Sequence, residues 1–301
     1  MAYDKEVFNL TRLLQYAYRE LGQLNVSTAT GGTTTTIVDS KMVDIYGDDE
    51  LKDGFAVIIE DAGGEGASPE GKYNRISGNT QSNGTITVES SLGNSVGAGD
   101  TYGYANNFYP HYDMIQLAND VLRDLGDMYL IDTTTLDSAA SQTEYTYAVA
   151  WKHKEPFRVE IQGRVGDAND NKWYTLNRWE YRPATAGSTG LLVFDQQLPI
   201  GRDIAVHYLG RHPVVNSYED PIIENVHPTL ATKALVMKAL EWQNRRLQGG
   251  DPFLIQSWND ARIEYDKARM MYHPWLPKRK PQLFTLGRYS EEDNFTVPAS
   301  A

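Results

Sequence analysis

The sequence contains no cysteine, which excludes disulfide bonds, thiolate catalysis and cysteine-ligated metal sites. It also lacks any apolar run close to the roughly 18 residues that a membrane-spanning helix needs. The first ten residues have neither the basic region nor the hydrophobic region of a signal peptide, so we expect a protein made and folded in a cytoplasm. Its stability must then come from packing or from association with other chains.

Positive charge is also scarce. The chain has 28 Lys and Arg against 40 Asp and Glu, a formal charge of −12. This balance opposes tight, non-specific binding to a polyanion unless the basic residues are segregated, so a general nucleic-acid binder is disfavoured. Hydrophobic residues make up 41% of the chain, which is enough for one large domain or two to three small ones.

Three short motifs imitate known sites but lack residues that the chemistry requires. Residues 66–72 fit the P-loop spacing, yet Tyr73 stands where a Ser or Thr would bind Mg²⁺, and the next segment has the pattern of a strand. Residues 93–97 fit the G-x-S-x-G nucleophile elbow, but the turn leads into another strand rather than a helix. Asp167, Asn169 and Asn171 have the spacing of a calcium loop without its later Gly and Glu.

The histidines and acidic pairs give no better candidate. The six histidines are dispersed, without an H-E-x-x-H motif or a pair at i, i+4 on one helix. Acidic runs such as residues 48–50 and 291–293 lie in loop or tail sequence, where solvated charge is the default. We therefore expect no catalytic residue, no cofactor and no bound metal, and an enzyme is the least favoured class.

Two similar hexapeptides occur in the chain, RELGQL at 19–24 and RDLGDM at 123–128. Each copy ends an apolar stripe with the i, i+3, i+4, i+7 spacing of an amphipathic helix, and a Gly follows as the C′ residue. About five short segments with strand patterning follow each helix. The sequence thus predicts a duplicated unit of one helix and one small antiparallel β module, over about 1–106 and 107–212; convergence on common structural devices is the alternative.

Two further helices close the chain. Pro228 begins a helix that runs to about Leu247, and Asp251 with Pro252 begins another. In the last helix, a heptad-like apolar seam can pack within the subunit or against a neighbouring copy. The seam consists of Leu254, Trp258, Ala261, Tyr265, Ala268 and Tyr272.

These elements predict an α+β fold with a four-helix bundle-like core, two inserted small antiparallel β modules, each a barrel or a sandwich, and an extended C-terminal tail. The predicted segments are the N-terminal core helix at 1–28, the first β module at 29–106, the second core helix at 107–132, the second β module at 143–212, the C-terminal helical pair at 213–275 and the tail at 276–301.

Four aromatic residues crowd one predicted hairpin of the second module, namely Trp173, Tyr174, Trp179 and Tyr181. Aromatic side chains on an exposed β face stack on sugars or bury against another protein. Strand propensity and the core of the module itself explain most of them. A carbohydrate-binding β module therefore stays as an alternative function.

The layout resembles the head-to-tail connector, or adaptor, proteins of tailed bacteriophages. The segments that carry the resemblance are an N-terminal amphipathic helix, the Thr- and Gly-rich phrases TGGTTTTIVDS and GTITVESSLGNSVGAGDTYGYA, and the final pair HPTLATKALVMKALEWQNRRL and WNDARIEYDKARMMYHPW. The resemblance covers most of the chain and concerns layout rather than one invariant motif.

The resemblance implies a structural virion protein of the neck, made in the host bacterial cytoplasm. It would form a homo-oligomeric ring, typically of twelve copies, that joins the portal protein to a tail or neck protein and extends the channel for double-stranded DNA without sequence specificity. Another tail or baseplate component is the alternative. The residues expected to bind partners are Lys278, Arg279, Lys280, Leu283, Phe284 and Tyr289, and the possible intersubunit seam is Leu254, Trp258, Tyr265 and Tyr272.

Overall fold

The computed structural model of the chain describes residues 7–64, 68–146, 155–163, 172–182, 190–217 and 220–273. Over these ranges it has four α-helices and three antiparallel sheets. The helices are α1 (Leu10–Glu20), α2 (His111–Asp124), α3 (Pro228–Arg246) and α4 (Pro252–Met271). The strands are β1 (Asn25–Thr28), β2 (Gly31–Gly32), β3 (Thr36–Val38), β4 (Phe55–Glu60), β5 (Tyr73–Thr80), β6 (Thr85–Val88), β7 (Thr101–Ala105), β8 (Met128–Asp137), β9 (Glu144–Thr146), β10 (Arg158–Gln162), β11 (Trp173–Leu176), β12 (Trp179–Arg182), β13 (Leu191–Phe194) and β14 (Asp203–Gly210).

Local sequence signals set the helix ends. The side chain of Asn9 accepts a hydrogen bond from the backbone N–H of Arg12 at the start of α1, and that of Asp251 does the same for two N–H groups at the start of α4. Gly22 and Gly126 follow α1 and α2 with φ of +67° and +93°. These left-handed conformations end both helices, as the repeated Leu-Gly pair predicts.

The first β module is one sheet of seven strands in the order β1-β7-β4-β5-β6-β3-β2. Its long strand β5 pairs with β4 through residues 73–75 and with β6 through residues 76–80, and the register shifts between Ile76 and Gly78. Because a shift of this kind bends a strand, the two halves of the sheet enclose a hydrophobic cluster of their own.

Strand β4 is the junction between this cluster and the helices. Ala56 and Ile58 face the interior of the first module, whereas Phe55 and Val57 face α1 and α2. A strand that is covered on both faces needs apolar residues at successive positions, which accounts for the uninterrupted run FAVII. The neighbouring β7 has only small residues on the helix side, Thr101, Gly103 and Ala105; a Cβ at Gly103 would lie 2.9 Å from Cδ1 of Leu24.

The second β module is a small sandwich. A four-stranded sheet, β11-β10-β14-β8, faces a three-stranded sheet, β12-β13-β9. Side chains that alternate along the strands fill the interior from both sheets, so this module has a separate core. The core consists of Leu136, Tyr145, Val159, Ile161, Leu192, Phe194, Leu198, Ile204, Val206 and Tyr208.

The two modules share one strand order. In each, the strand after the helix pairs with the last strand of the module, which pairs with a middle strand, and that strand pairs with the next one in the sequence: β1-β7-β4-β5 and β8-β14-β10-β11. In the other half of each module, β5-β6-β3 corresponds to β12-β13-β9, and β2 has no counterpart. The bend inside β5 corresponds to the break at 177–178 between β11 and β12. A common order over six strands is what a duplication predicts.

The predicted four-helix bundle-like core is wrong. The described residues form four helices and three sheets of seven, four and three strands, with about 30% strand and 29% helix. Helices α1 and α2 pack on α3, but the sheet residues Phe55, Val57 and Tyr73 complete the same cluster. Helix α4 buries only Leu254 and Ala268. The core is therefore a helix layer on one face of a sheet, because the apolar faces of α1 and α2 extend over β4 and β7.

Candidate functional site

The predicted seam lies on the face of α4 that packs on α3. Leu254 is buried, Trp258 packs against the helix–sheet cluster, and Tyr265 is half-buried. The ring of Tyr272 stacks on that of His227 at the start of α3, with centroids 3.9 Å apart and planes 7° apart. These contacts lie within one chain, and the role of the seam between subunits stays a prediction.

The predicted partner-binding residues of the tail lie outside the described residues. They are Lys278, Arg279, Lys280, Leu283, Phe284 and Tyr289. The same holds for Asp167, Asn169 and Asn171 of the imperfect calcium loop. Their expected roles stay predictions.

The aromatic hairpin divides between the core and the surface. Trp179 and Tyr181 pack against the interior of the sandwich. Tyr174 lies opposite Ile161 and Trp173 opposite Gln162 across β10, so that these two rings point to opposite faces of the sheet. The four rings therefore do not share one exposed face of the kind that stacks on a sugar.

The outer face of the four-stranded sheet carries a buried polar network that sequence analysis missed. The carboxylate of Glu160 on β10 accepts hydrogen bonds from Nε2 of His207 at 2.8 Å and from the hydroxyl of Thr175 at 3.3 Å, and it pairs with Arg158. The Tyr129 hydroxyl on β8 lies against Nδ1 of His207. Glu160 and His207 are 6% and 4% exposed. Nothing local in the sequence predicts this cluster, because strand pairing over 47 residues brings the pair together.

The histidine and the tyrosine of this network are both uncharged. Burial lowers the pKa of His207 below its ordinary value although Glu160 acts in the opposite direction, so the imidazole is neutral. Its Nε2–H then donates to Glu160, and its Nδ1 accepts from Tyr129. Burial also raises the pKa of Tyr129, which keeps the phenol protonated and a poor nucleophile.

A second network ties the first module to α2 at the surface. The Arg75 guanidinium on β5 binds both carboxylate oxygens of Glu89, at 2.6 and 3.0 Å, and pairs with Asp53 at 2.7 Å. The Tyr112 hydroxyl donates to Glu89 at 2.7 Å, and the guanidinium lies 5.1 Å from the centre of the Tyr112 ring. These bonds lower the pKa of Glu89. A polar hollow of about 410 Å³ adjoins them, with Arg246 on its other side.

Next to this network, His111 begins α2 inside an aromatic cluster. Its ring is 3% exposed, stacks on Phe55 with centroids 5.6 Å apart and meets the edge of Tyr73. Its Nδ1 has no hydrogen-bond partner in the described part of the chain. Burial, with a smaller contribution from Arg75, lowers the pKa of His111 to about 4. The side chain is thus a neutral core residue.

A groove of about 340 Å³ lies between α1, α3 and α4. Its apolar lining comes from Leu21, Val236, Leu240 and Ala261. Its polar lining comes from Glu20, Lys233, Ser257, Asp260 and Glu264, and Lys233 pairs with Glu20 at 3.2 Å. The groove is open because α4 buries only two side chains against its neighbours.

Neither nucleotide nor hydrolase chemistry fits the two imitated motifs. Gly71, with φ of +77°, and Lys72 lead directly into β5, and Ser95 lies between β6 and β7, so neither motif precedes a helix. Among the described residues, no group of three or more His, Asp or Glu side chains is placed to hold a metal ion. Over the same residues, no helix combines the length and hydropathy that crossing a bilayer requires.

Comparison with protein-family models and with curated protein sequences gave no match to this chain.

Proposed function

We propose that the chain is a non-enzymatic structural protein of a tailed-phage virion, a connector ring that joins the portal vertex to the tail and extends the DNA channel. It acts in the neck of the virion after synthesis in the bacterial cytoplasm. Its partners are other copies of itself, in a ring of twelve, the portal protein, a tail or neck protein, and passing double-stranded DNA.

The observation that carries the proposal is a set of large apolar side chains that α4 exposes. Phe253, Met270 and Met271 are 85%, 86% and 72% exposed, and Ile263 is more than half exposed. Ile263 and Met270 are seven residues apart and, at 100° per residue, lie on the face of α4 opposite the one that packs on α3. Large exposed apolar side chains that lie next to each other, as Met270 and Met271 do, are typical of surfaces that bind other proteins.

The charge of the chain supports the same role. A formal charge of −12 per copy, repeated around a ring, disfavours tight binding of the DNA backbone. DNA would then pass through the channel without being held. The layout of the chain, with two helix-plus-β units before a closing helical pair, also fits the connector resemblance.

A phage with an amber mutation in this gene tests the proposal. In a non-suppressing host it should produce DNA-filled heads and complete free tails that do not join, visible by negative-stain electron microscopy. Missing or incomplete tails would favour the alternative of a tail or baseplate component, and normal tailed particles would refute a role in joining. The suppressing host is the matched control.

A further inference from the structure

We infer that the groove between α1, α3 and α4 receives residues 275–284 of a neighbouring copy. This inference rests on the proposed ring, because it names a contact between successive subunits. A segment that leaves one copy and enters the next makes a head-to-tail contact, and such contacts close into rings when the rotation between copies permits.

Charge complementarity is the first argument. The lining of the groove has three carboxylates, those of Glu20, Asp260 and Glu264, against the single ammonium of Lys233, a net charge of −2. Residues 275–284 carry three positive charges and no negative one. A chain with an overall charge of −12 has few segments of that kind, so electrostatic attraction would select this one.

Hydrophobic complementarity is the second argument. Val236 and Leu240 of α3 are 7% and 8% exposed at the base of the groove, and Leu21 and Ala261 line its sides. Residues 275–284, with the sequence WLPKRKPQLF, place two large apolar side chains before the basic triplet and two after it. An extended segment of this type fills an apolar groove with its side chains and meets a charged rim with its cations.

The position of the segment is the third argument. Helix α4 ends at Met271, and 28 residues follow His273, the last residue of the described part. Pro274, Pro277 and Pro281 favour an extended course over a tight reversal along the same helix. This favours the groove of another copy over that of the same chain.

The absence of native cysteine allows a direct test with the full chain. One population carries Ala261→Cys in the groove and a second carries Gln282→Cys in the tail; they are mixed under conditions that form rings and oxidised mildly. Covalent dimers on a non-reducing gel should exceed, by about tenfold or more, those formed with Asp266→Cys. Asp266 is exposed on another face of α4 and is the matched control. Equal yields at 261 and 266 would overturn the inference.

Two further variants decide how the segment binds. Asp260→Lys with Glu264→Lys should lower dimer formation about tenfold, and Lys278→Glu with Lys280→Glu on the other population should restore it. A chain that carries both cysteines and forms only an internal disulfide would overturn binding to a neighbour. Rings without the preference for position 261 would overturn this contact alone, whereas no rings and no dimers would overturn the proposed function as well.

Discussion

The neutral state of His111 predicts a specific dependence of stability on pH. Burial in the aromatic cluster lowers the pKa of this imidazole to about 4 from an ordinary value of 6.5. The unfolded chain therefore binds a proton more readily than the folded chain below pH 6.5. The stabilising contribution is complete above that pH and decreases as the pH falls towards 4.

The magnitude follows from the difference between a pKa of about 4 and the ordinary value of 6.5, which corresponds to a total of about 3 kcal/mol. Between pH 7.5 and pH 5.5, which stays above the sequence pI of 5.0, His111 should account for roughly 1 kcal/mol of lost stability. Urea unfolding at both pH values measures this loss. His111→Phe should reduce the pH dependence by that amount, since His207 and His212 remain in both proteins and cancel in the comparison.

Tyr73→Phe is the control for packing. It changes the same aromatic cluster, but burial raises the pKa of Tyr73 far above the pH range used, so its effect on stability should be equal at pH 7.5 and pH 5.5. If His111→Phe kept the full pH dependence of the wild-type chain, the assignment of a buried neutral imidazole would be refuted.

Two further predictions test the helix layer on the sheet, and a third tests the start of α4. Phe55→Ala removes a fully buried ring that stacks on Tyr18 at 4.7 Å, and it should lower the free energy of unfolding in urea by about 3–5 kcal/mol; a change below 1 kcal/mol would contradict the fold. Gly103→Val places side-chain atoms against Leu24 and should cost about 1–3 kcal/mol by thermal denaturation, while the exposed Val26→Ala on the neighbouring strand should cost far less. Asp251→Ala removes the N-cap of α4 and should cost about 0.5–2 kcal/mol, with Asp251→Asn retaining most of the stability; equal loss in both variants would argue against the cap.

The local elements were largely predictable from the sequence. The apolar stripes place α1 and α2, and Pro228, Asp251 and Pro252 mark the starts of the last two helices as the structure has them. The strands β3 to β7 lie within residues 29–106, where about five short segments have strand patterning. These signals are local, so they can be recognised without knowing which strands pair.

The assembly of these elements was not predictable in the same way. The four helices have amphipathic or apolar faces, and packing in a bundle would bury those faces as well as packing on a sheet does. The decisive feature is that β4 is apolar at successive positions, which requires a cover on its helix side. The segment predicted as the second core helix, 107–132, overlaps the start of β8, whose pattern is interrupted by the polar run from Asp132 to Thr135 where the register with β14 shifts.

The buried polar network of the second module could not be predicted from the sequence either. The Glu160–His207–Tyr129 network joins three strands that are distant in the sequence, so spacing rules have no access to it. Its counterpart in the first module is the apolar helix-facing surface of β4 and β7. The strand order that the two modules share thus shows at which face they differ.

The central claim is that the chain forms a connector ring. Native mass spectrometry with negative-stain imaging tests it most directly, on the full chain alone and mixed with the portal protein from the same genome. The account predicts closed rings of one fixed copy number, twelve, that bind the portal protein. A chain that stays monomeric at every concentration and with every virion partner would contradict it.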